Sequence, residues 1–281
     1  MTTYDLTLVT ADPLPEPDGD LLPLFEAATE AGLRTRIAVW DDPAVNWAES
    51  RLTLLRSTWD YYQKVDAFRR WIGKVSRESL LLNPRDTLLE NLHKSYLLRL
   101  PLQGIAVIPT VLVEKGTTLD LSDLASQENW ERIVMKPAIS AGSFETYFFD
   151  AREVDQEIFE GLVAKKDVLI QPYMKSVEDY GERSLLFFDR QFSHCVRKAP
   201  RFEGQEESIS GPYEPAEEEL ILARKALHTI SGPLPYARVD IISNSAGEPL
   251  IAELELMEPS LFFSFAPESL PRFLEVLKSY L

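Results

Sequence analysis

Two glutamates separated by one residue lie near the end of the chain, in an apolar stretch from Pro249 to Pro259. The stretch alternates like a β-strand, so Glu253 and Glu255 point to one face while the apolar residues beside them point to the other. Carboxylates that share a face within an apolar sheet repel one another and lose hydration, which costs several kcal/mol unless cations or donors compensate. The pattern fits a metal site and, equally, an acidic strand edge that faces solvent.

A second strand with charged residues comes just before this stretch. The loop Asn244 to Gly247 suits a hairpin, and if Ser243 pairs with Glu248, then Arg238 and Asp240 fall on the same face as the two glutamates. A slip of one residue would move them to the other face. Three carboxylates on one face form an oxygen-only ligand set, which favours a hard divalent cation, Mg²⁺ or Mn²⁺.

A lysine stands at the end of an apolar strand in the middle of the chain. Lys136 closes the strand Arg132 to Pro137, and a loop of small residues, 138–143, follows it. Small residues let backbone N–H groups approach an anion, and the lysine adds positive charge, so the pattern suits a phosphate site, although alone it is weak evidence. Neither a Walker loop nor a Gly-x-Gly-x-x-Gly fingerprint occurs. The candidate contacts in the loop are Ser140, Gly142 and Ser143.

Another nucleotide-like signal lies at the end of the predicted strand Asp167 to Tyr173. An extended segment with free backbone groups, flanked by a tyrosine and a methionine, suits the edge of adenine; a strand leaving the core has the same pattern. Two glutamates in the polar loop that follows suit ribose hydroxyls. The residues concerned are Gln171, Tyr173, Met174, Glu178 and Glu182.

A basic run, Arg197-Lys198-Ala199-Pro200-Arg201, follows the predicted strand Gln191 to Val196. It fits a local anion site or a solvated surface, and we favour the anion site because the run adjoins a loop, Phe202 to Pro212, that contains two glycines. Such a loop is suited to act as a mobile lid.

The composition narrows the class of protein. The chain has 281 residues, 45% of them hydrophobic and 26% charged, as in a globular protein, and it has no apolar run of membrane-spanning length. A net charge of −16 argues against nucleic acid or an anionic membrane as a partner. The N-terminus lacks the basic region of a signal peptide and Cys195 is the single cysteine, so we predict a cytoplasmic protein without disulfides.

The first third of the chain alternates strands and helices, which predicts a small parallel α/β unit. Arg56, Trp59 and Asp60 follow its third strand, and ligands bind at the carboxyl ends of strands in such sheets, so these residues are candidates for holding a small substrate. The alternative is a turn in which Trp59 packs and Asp60 caps a helix from Val65 to Val75. Lys94, in a helix predicted from Leu88 to Leu100, would by itself be a solvated lysine.

The order and spacing of these features resemble the ATP-grasp superfamily, in particular the branch with bacterial glutathione synthetase, ribosomal-protein glutamate ligases and the cyclo-ligase of cycloserine biosynthesis. Ser57-Thr58-Trp59-Asp60-Tyr61 is similar to a stretch of the last. The resemblance implies an α/β and α+β ATP-grasp fold with an N-terminal parallel α/β domain. It also implies three segments: a substrate-side domain at 1–92, a small lid-like subdomain at 93–175, and a C-terminal subdomain with the metal site at 176–281.

The resemblance also implies roles for single residues. Lys94 and Lys136 would contact the phosphates of ATP, Arg197 matches the family's arginine near the transferred phosphate, and Arg238 would assist there. The position of Glu255 is often Asn in the superfamily, so this site carries an extra negative charge. The resemblance implies adenine contacts at Gln171, Tyr173 and Met174, and a ribose contact at Glu178 or Glu182. It implies magnesium ligands at Asp240, Glu253 and Glu255, and one more substrate contact at Ser260.

The function implied is an ATP-dependent carboxylate–amine ligase that acts on small amino-acid-like substrates. ATP would convert the carboxylate into an acyl phosphate, and an amine of another molecule or of the same one would attack it. A nucleotide-binding regulatory module without catalysis and a phosphotransferase on the same fold are the alternatives. Whether the protein forms a homo-oligomer stays open.

Overall fold

The chain forms three sheets in a computed structural model that describes residues 2–199 and 208–281. The strands are β1 (Tyr4–Thr10), β2 (Thr35–Val39), β3 (Ser50–Ser57), β4 (Leu80–Leu82), β5 (Val111–Val113), β6 (Arg132–Pro137), β7 (Tyr147–Asp150), β8 (Val168–Pro172), β9 (Glu182–Phe188), β10 (Gln191–Ala199), β11 (Ser208–Ser210), β12 (Tyr236–Ser243) and β13 (Pro249–Glu255). The α-helices are α1 (Leu21–Glu30), α2 (Val65–Glu78), α3 (Arg85–Asn91), α4 (Tyr96–Arg99), α5 (Leu121–Gln127), α6 (Gln156–Val163), α7 (Ser176–Asp179), α8 (Glu217–His228) and α9 (Ser269–Lys278). Each sheet lies within one predicted segment, and the segment boundaries stay predictions.

The N-terminal sheet is parallel throughout, with the strand order β2-β1-β3-β4. Its side chains Leu6, Leu8 and Leu54 are fully buried, and helix α2 contributes Phe68 and Ile72 at helical spacing to the core. The predicted parallel α/β unit is therefore confirmed. The alternation did not predict β4, because a strand of three residues is too short to show a period.

The middle sheet has the order β5-β8-β6-β7 and is antiparallel. The strand predicted from Ile105 to Val113 is wrong in its first half. Those residues run beside β13 instead, where Ile108 N donates to Ile251 O at 3.0 Å and Val107 forms an isolated parallel bridge. Only β5 joins the middle sheet.

The C-terminal sheet has the order β11-β10-β9-β12-β13, with antiparallel neighbours. One face packs against α8 through a core that includes Leu185, Val239, Leu254 and Ala223. The strands alternate, so their charged residues lie on the opposite face.

The outer edge of β13 is paired by side chains from the N-terminal half of the chain. Asn91 Nδ2 donates to Leu254 O at 2.8 Å, and Leu256 N donates to Asn91 Oδ1 at 2.9 Å. The Tyr96 hydroxyl donates to Leu254 O at 3.1 Å and accepts from Leu254 N at 3.0 Å. Helices α3 and α4 thus satisfy an edge strand that carries two of the candidate metal ligands.

Three local predictions differ from the structure. The predicted helix Leu88 to Leu100 is two helices, and Lys94 lies in the turn between α3 and α4 because its N–H donates to Ala138 O at 2.8 Å. Glu178 is on α7 and Glu182 begins β9, so neither lies in a loop. Arg197 and Lys198 lie inside β10, which extends beyond the predicted strand end.

The proposed lid at Phe202 to Pro212 lies largely outside the described residues, as does Arg201. Its described part includes β11, which pairs with β10. In the part of the chain that the structure describes, no helix is long and apolar enough to cross a membrane.

Candidate active site

The charged face of the hairpin brings four predicted site residues together. Arg238 lies opposite Glu255 and Asp240 lies opposite Glu253 in the antiparallel pairing of β12 and β13, so all four side chains point to one face. This is the arrangement that the alternation of the two strands predicts.

A β-bulge is responsible for this register. Next to the turn, Ser243 pairs with Pro249, one residue away from the predicted pairing with Glu248. That register alone would put Asp240 opposite Ala252, on the wrong side of the sheet. The register shifts after Asp240 and leaves Ala252 as the extra residue, which returns the acids to one face.

Asp240 is the most fully paired carboxylate of the site. Arg238 donates to its two oxygens through Nε and Nη2, each at 2.9 Å, and Ser184 Oγ and Lys198 Nζ donate at 2.7 and 2.9 Å. Only 2% of Asp240 is exposed. Burial opposes its ionisation, but Arg238 and Lys198 outweigh burial and hold its pKa well below the usual range.

Lys198 enters the site, whereas its neighbour Arg197 does not. Successive residues of a strand point to opposite faces, and Lys198 pairs with Asp240 and Glu182. Arg197 donates instead to the carbonyl oxygens of Tyr180 and Asp179, at 2.9 and 2.8 Å. In the described residues, the cation that β10 supplies to this face is therefore Lys198. The position predicted for Arg197 near the transferred phosphate stays a prediction.

Glu253 is held by a lysine from the turn before α4. Lys94 Nζ lies 2.8 Å from Glu253 Oε1 and donates to Ser140 O at 2.9 Å. Only 7% of Lys94 is exposed, so the expectation of a solvated lysine is wrong. Burial disfavours the charged forms of both partners, but their mutual attraction outweighs it and raises the pKa of Lys94 while lowering that of Glu253.

Lys136 is the less paired of the two predicted phosphate lysines. It lies on β6, partly buried, and forms no ion pair within 4.0 Å in residues 2–199 and 208–281. Burial lowers its pKa, with Lys94 acting in the same direction and Glu253 opposing. A positive charge of this kind is available for an anionic ligand.

Glu255 and Glu258 form the acidic, poorly compensated end of the site. Arg238 Nη2 donates to Glu255, yet burial together with the nearby Asp240 and Glu253 raises the pKa of Glu255 to about 7. Burial and Glu255 raise the pKa of Glu258 to about 8. No side chain of the described residues donates a hydrogen bond to Glu258, whose Oε2 is buried.

The predicted metal ligands have the carboxylate oxygens that a divalent cation prefers, but the structure does not arrange them as a metal site. Among the described residues, no three acidic, histidine or cysteine side chains are arranged to hold a metal ion together. The guanidinium of Arg238 lies between Asp240 and Glu255 and contacts both. Glu253 and Glu255 have partly exposed side chains, and a cation would relieve the repulsion that raises the pKa of Glu255.

One of the predicted adenine contacts, Met174, lies beside an apolar cluster near the turn of the hairpin. Met174 packs against the cluster of Ile108, Ile242 and Ala252, with Leu250 beside it. Gln171 is buried and donates to Thr110 Oγ1 at 2.9 Å.

The two candidate ribose residues occupy different places. Glu178 accepts from the Tyr173 hydroxyl at 2.9 Å and lies 3.5 Å from Arg132, whose guanidinium covers the Tyr173 ring at 4.0 Å. Glu182 is instead paired with Lys198 on the charged face, and burial raises its pKa. Glu178 is therefore the one adjacent to the predicted adenine segment.

The small-residue loop after β6 adopts left-handed backbone at two of the predicted contacts. Gly142 has φ of 59° and Ser143 has φ of 58°. Ser140, mostly buried, accepts through its carbonyl oxygen from Lys94 and from the Tyr61 hydroxyl, the latter at 3.3 Å. The loop is thereby tied both to the acidic face and to the N-terminal sheet.

The predicted substrate residues reach the site from the end of β3. Arg56 is fully buried and donates to Pro259 O at 2.7 Å, and Trp59 Nε1 donates to Glu258 O at 3.2 Å. Ser260 accepts through its carbonyl oxygen from Arg238 Nη1 at 3.5 Å.

Asp60 accepts from Trp40 Nε1 at 2.7 Å and pairs with Lys64 at 3.2 Å. It makes no side-chain cap to the turn Tyr61–Gln63 or to α2, so the alternative of a helix cap is wrong.

Sequence reasoning missed four residues of this site: Lys198, Ser184, Glu258 and Tyr61. In the sequence, Lys198 is one cation of a basic run, and strand alternation that continues to Ala199 separates it from Arg197. Ser184 carries no motif, and only the pairing of β9 with β12 brings it opposite Asp240. Glu258 lies three residues after Glu255 and carries no motif either, because its lack of a hydrogen-bond donor is visible only in the folded chain.

The chain is similar to proteins of cycloserine biosynthesis. A family model for the N-terminal domain of D-cycloserine synthetase DcsG matches residues 6–83. The chain is 29% identical over 278 residues to the cycloserine biosynthesis protein DcsG of Streptomyces lavendulae, covering 92% of this chain and 93% of that protein. The crystal structure of D-cycloserine synthetase DcsG matches with a TM-score of 0.88 at 27% identity, covering 98% of this chain and 99% of that one.

The fold of the chain is also similar to that of the ATP-grasp ligase PsnB in complex with a minimal precursor. That comparison has a TM-score of 0.70 at 16% identity and covers 99% of this chain and all of that one. The chain has the ATP-grasp fold. D-alanine–D-alanine ligase of Bacillus anthracis, solved with ATP, shares it with a TM-score of 0.66 at 15% identity over 99% of this chain and 97% of that one. Another PsnB structure contains Mg and ADP.

The resemblance to ATP-grasp ligases predicted from the sequence is thus confirmed, as are the fold and the class of enzyme, an ATP-dependent ligase that forms carbon–nitrogen bonds.

Proposed function

We propose that this ATP-grasp protein activates a small amino-acid-like carboxylate as an acyl phosphate and joins it to an amine, with the charged face of β12 and β13 as its active site. The observation that carries the proposal is the set of matched charges on that face. Lys94, Lys198 and Arg238 contact carboxylates there, and Lys136 lies close by without an ion pair among the described residues.

ATP would lie between the middle and C-terminal sheets. Its base would contact the segment Gln171, Tyr173 and Met174 beside the apolar cluster, and Glu178 would accept ribose hydroxyls. The triphosphate would replace carboxylates as the partner of Lys94 and would bring Lys136 a counter-charge. The loop with Ser140, Gly142 and Ser143 would supply backbone N–H groups.

Magnesium would be held first by Glu253 and Glu255, because their side chains are partly exposed and each has an oxygen without a described donor. Asp240 would join only after Arg238 or Lys198 releases it, since both of its oxygens are already engaged. When bound, Mg²⁺ neutralises the phosphate oxygens of ATP during transfer.

Arg238 and Lys198 are the residues best placed to stabilise the transferred phosphoryl group. Both are held at the Asp240 end of the face, and neighbouring carboxylates raise the pKa of each despite burial, so both stay charged. Fixed positive charges of this kind stabilise charge that develops in the transition state without reorganising. Arg56, Trp59, Asp60 and Ser260 would bind the acid or the amine from the side of the N-terminal sheet.

The test is ADP release in the presence of Mg²⁺, screened against pools of amino acids and dipeptides. We expect release that depends on one pool and that a Glu253→Gln variant loses. ATP binding without ADP formation across the whole panel would instead indicate a nucleotide-binding module, and a stable phosphorylated product would indicate a phosphotransferase.

Three finer points stand beside this proposal: Mn²⁺ as an alternative metal, a cytoplasmic location, and the choice between a monomer and a homo-oligomer. Manganese in place of magnesium in the ADP assay and light scattering of the purified protein test the first and the third.

A further inference from the structure

Glu258 is a half-buried acid whose carboxylate has no hydrogen-bond donor among the described residues. It lies three residues beyond Glu255, in the turn that follows β13, and its Oε2 is buried without a hydrogen-bond donor. No lysine, arginine or histidine of residues 2–199 and 208–281 lies within 4.0 Å of its carboxylate. A buried carboxylate in this condition is costly, and such groups commonly mark a place where a ligand supplies the missing charge or donors.

The backbone holds Glu258 firmly in spite of this. Trp59 Nε1 donates to the Glu258 carbonyl at 3.2 Å, and Arg56 donates to the next carbonyl, that of Pro259, at 2.7 Å. The turn is therefore tied to the end of β3, where a parallel sheet places its ligands. Glu258 thus lies where the acidic hairpin meets the carboxyl end of β3 in the N-terminal sheet.

The surroundings of Glu258 point to a cation as the missing group. Burial, together with Glu255 and Glu253, raises its pKa, while Lys94 and Arg238, which lower it, are already paired with other carboxylates. A cationic ligand beside Glu258 would favour the ionised form of its carboxylate and supply the counter-charge that the described side chains do not.

Donors without acceptors lie on the other side of the same junction. Arg56 and Thr58 are fully buried, and neither Arg56 Nε nor Thr58 Oγ1 has a hydrogen-bond partner among the described residues. The ionised carboxylate of Glu258 can only accept hydrogen bonds, whereas Arg56 and Thr58 can donate them. Together these side chains complement a molecule that has both an ammonium group and a carboxylate.

We propose that Glu258 binds the ammonium group of the second substrate, an amino acid or amino-acid-like molecule, and accepts one proton from it. The neutral amine then attacks the carbonyl carbon of the acyl phosphate, the amide bond forms, and phosphate leaves with the second proton. This inference rests on the proposed ligase function and names the residue and the substrate class of its second half-reaction. It assigns to Glu258 no part in binding ATP or in activating the acid.

Hydroxylamine separates the two halves of the reaction, because it traps an acyl phosphate as a hydroxamate and is largely uncharged at neutral pH. With the acid found by the ADP screen, wild-type protein, Glu258→Gln and Glu258→Asp are compared in hydroxamate formation and in amide formation with the amine. Glu268→Gln, an exposed carboxylate in the same C-terminal region, serves as the matched control.

We expect Glu258→Gln to raise KM for the amine about 10- to 100-fold, as for the loss of a charge-assisted hydrogen bond, and hydroxamate formation to stay within about twofold of wild type. Glu258→Asp keeps the charge and should recover part of the loss. Equal losses of hydroxamate and amide in the glutamine variant, or no loss of either, would overturn the inference. Wild-type protein that forms neither product would overturn the ligase proposal itself, and this inference with it.

Discussion

The two ends of the charged face differ in how their carboxylates are compensated. At one end, Asp240 accepts four hydrogen bonds from Arg238, Ser184 and Lys198 and is almost fully buried. At the other, Glu258 has a buried oxygen with no donor, and its pKa is raised to about 8 by burial and by Glu255. Both acids lie on the same hairpin or directly after it.

The difference separates residues that fix geometry from residues that await a ligand. The Asp240 end holds two cations in place before any ligand binds, which is the preorganisation that phosphoryl transfer needs. The Glu258 end keeps a carboxylate that is destabilised until something positive arrives. The charged face is therefore a folded ion-pair network that, in the proposed function, also binds the substrates.

The largest expected effect comes from removing the negative charge of Asp240, which pairs with two cations. Asp240→Asn leaves Arg238 and Lys198 buried without their shared counter-ion, and removing one partner of a buried pair costs about 3 to 5 kcal/mol. We expect a matching fall in the free energy of unfolding in urea, together with loss of ADP formation. Unchanged stability would show that the network does not hold the site.

The next effect distinguishes Lys198 from Arg197. Lys198→Ala should lower kcat for ADP formation by about 100-fold, as for the loss of one preorganised charge at a transition state. Arg197→Ala should leave kcat nearly unchanged, because the guanidinium of Arg197 donates to the carbonyl oxygens of Asp179 and Tyr180 and, among residues 2–199 and 208–281, forms no ion pair with the acids of the charged face. The opposite ranking would return Arg197 to the position that the family resemblance gave it.

A smaller effect concerns how Glu258 makes the free energy of unfolding depend on pH. The pKa of Glu258 is raised in the folded protein, so folding holds a proton that the unfolded chain releases, and stability falls as pH rises from about 4.5 to about 8. Glu258→Gln removes this penalty. We expect the variant to gain about 1 to 2 kcal/mol over wild type at pH 8.5 and little at pH 5, measured by urea unfolding of the free protein.

If the free energies of unfolding of Glu258→Gln and wild type differed by the same amount at pH 5 and pH 8.5, the ionised form of Glu258 would not be destabilised in the folded protein. Glu268→Gln, again the control, should behave as wild type throughout.

The smallest predicted effect is on Mg²⁺ affinity in the presence of a non-hydrolysable ATP analogue. The pKa of Glu255 is raised to about 7, so below that pH a proton competes with the metal, and affinity should fall about tenfold from pH 8 to about pH 6. Calorimetric titration measures it. In Glu255→Gln the affinity should be weaker and its dependence on pH in this range should be lost; a variant with the wild-type pH dependence would place the titrating group elsewhere.

The features that the sequence predicted are those with a local period. Alternation put Glu253, Glu255, Arg238 and Asp240 on one face, and the helix predicted from Val65 to Val75 is α2, which ends three residues later. The ATP-grasp fold followed from the order of such features along the chain. Each of these depends on residues close together in sequence.

The features that the sequence missed depend on contacts between distant segments. The helix predicted over Lys94 stops because Lys94 N donates to Ala138 O, a partner forty-four residues away that no local pattern reveals. The register of the hairpin depends on a bulge at Ala252, and the residue itself gives no signal of it. Glu258 has no motif, because what distinguishes it is the lack of a partner after folding.

The most direct test of ligation through an acyl phosphate is the fate of isotopic oxygen. The acid identified by the ADP screen is labelled with ¹⁸O in its carboxylate and incubated with the protein, the amine, ATP and Mg²⁺, and the released phosphate is analysed by mass spectrometry. If the carboxylate attacks ATP, one labelled oxygen passes to each phosphate, and Lys198→Ala slows transfer while Arg197→Ala does not. Phosphate released without label would contradict the account, because ATP would then be hydrolysed without activating the acid.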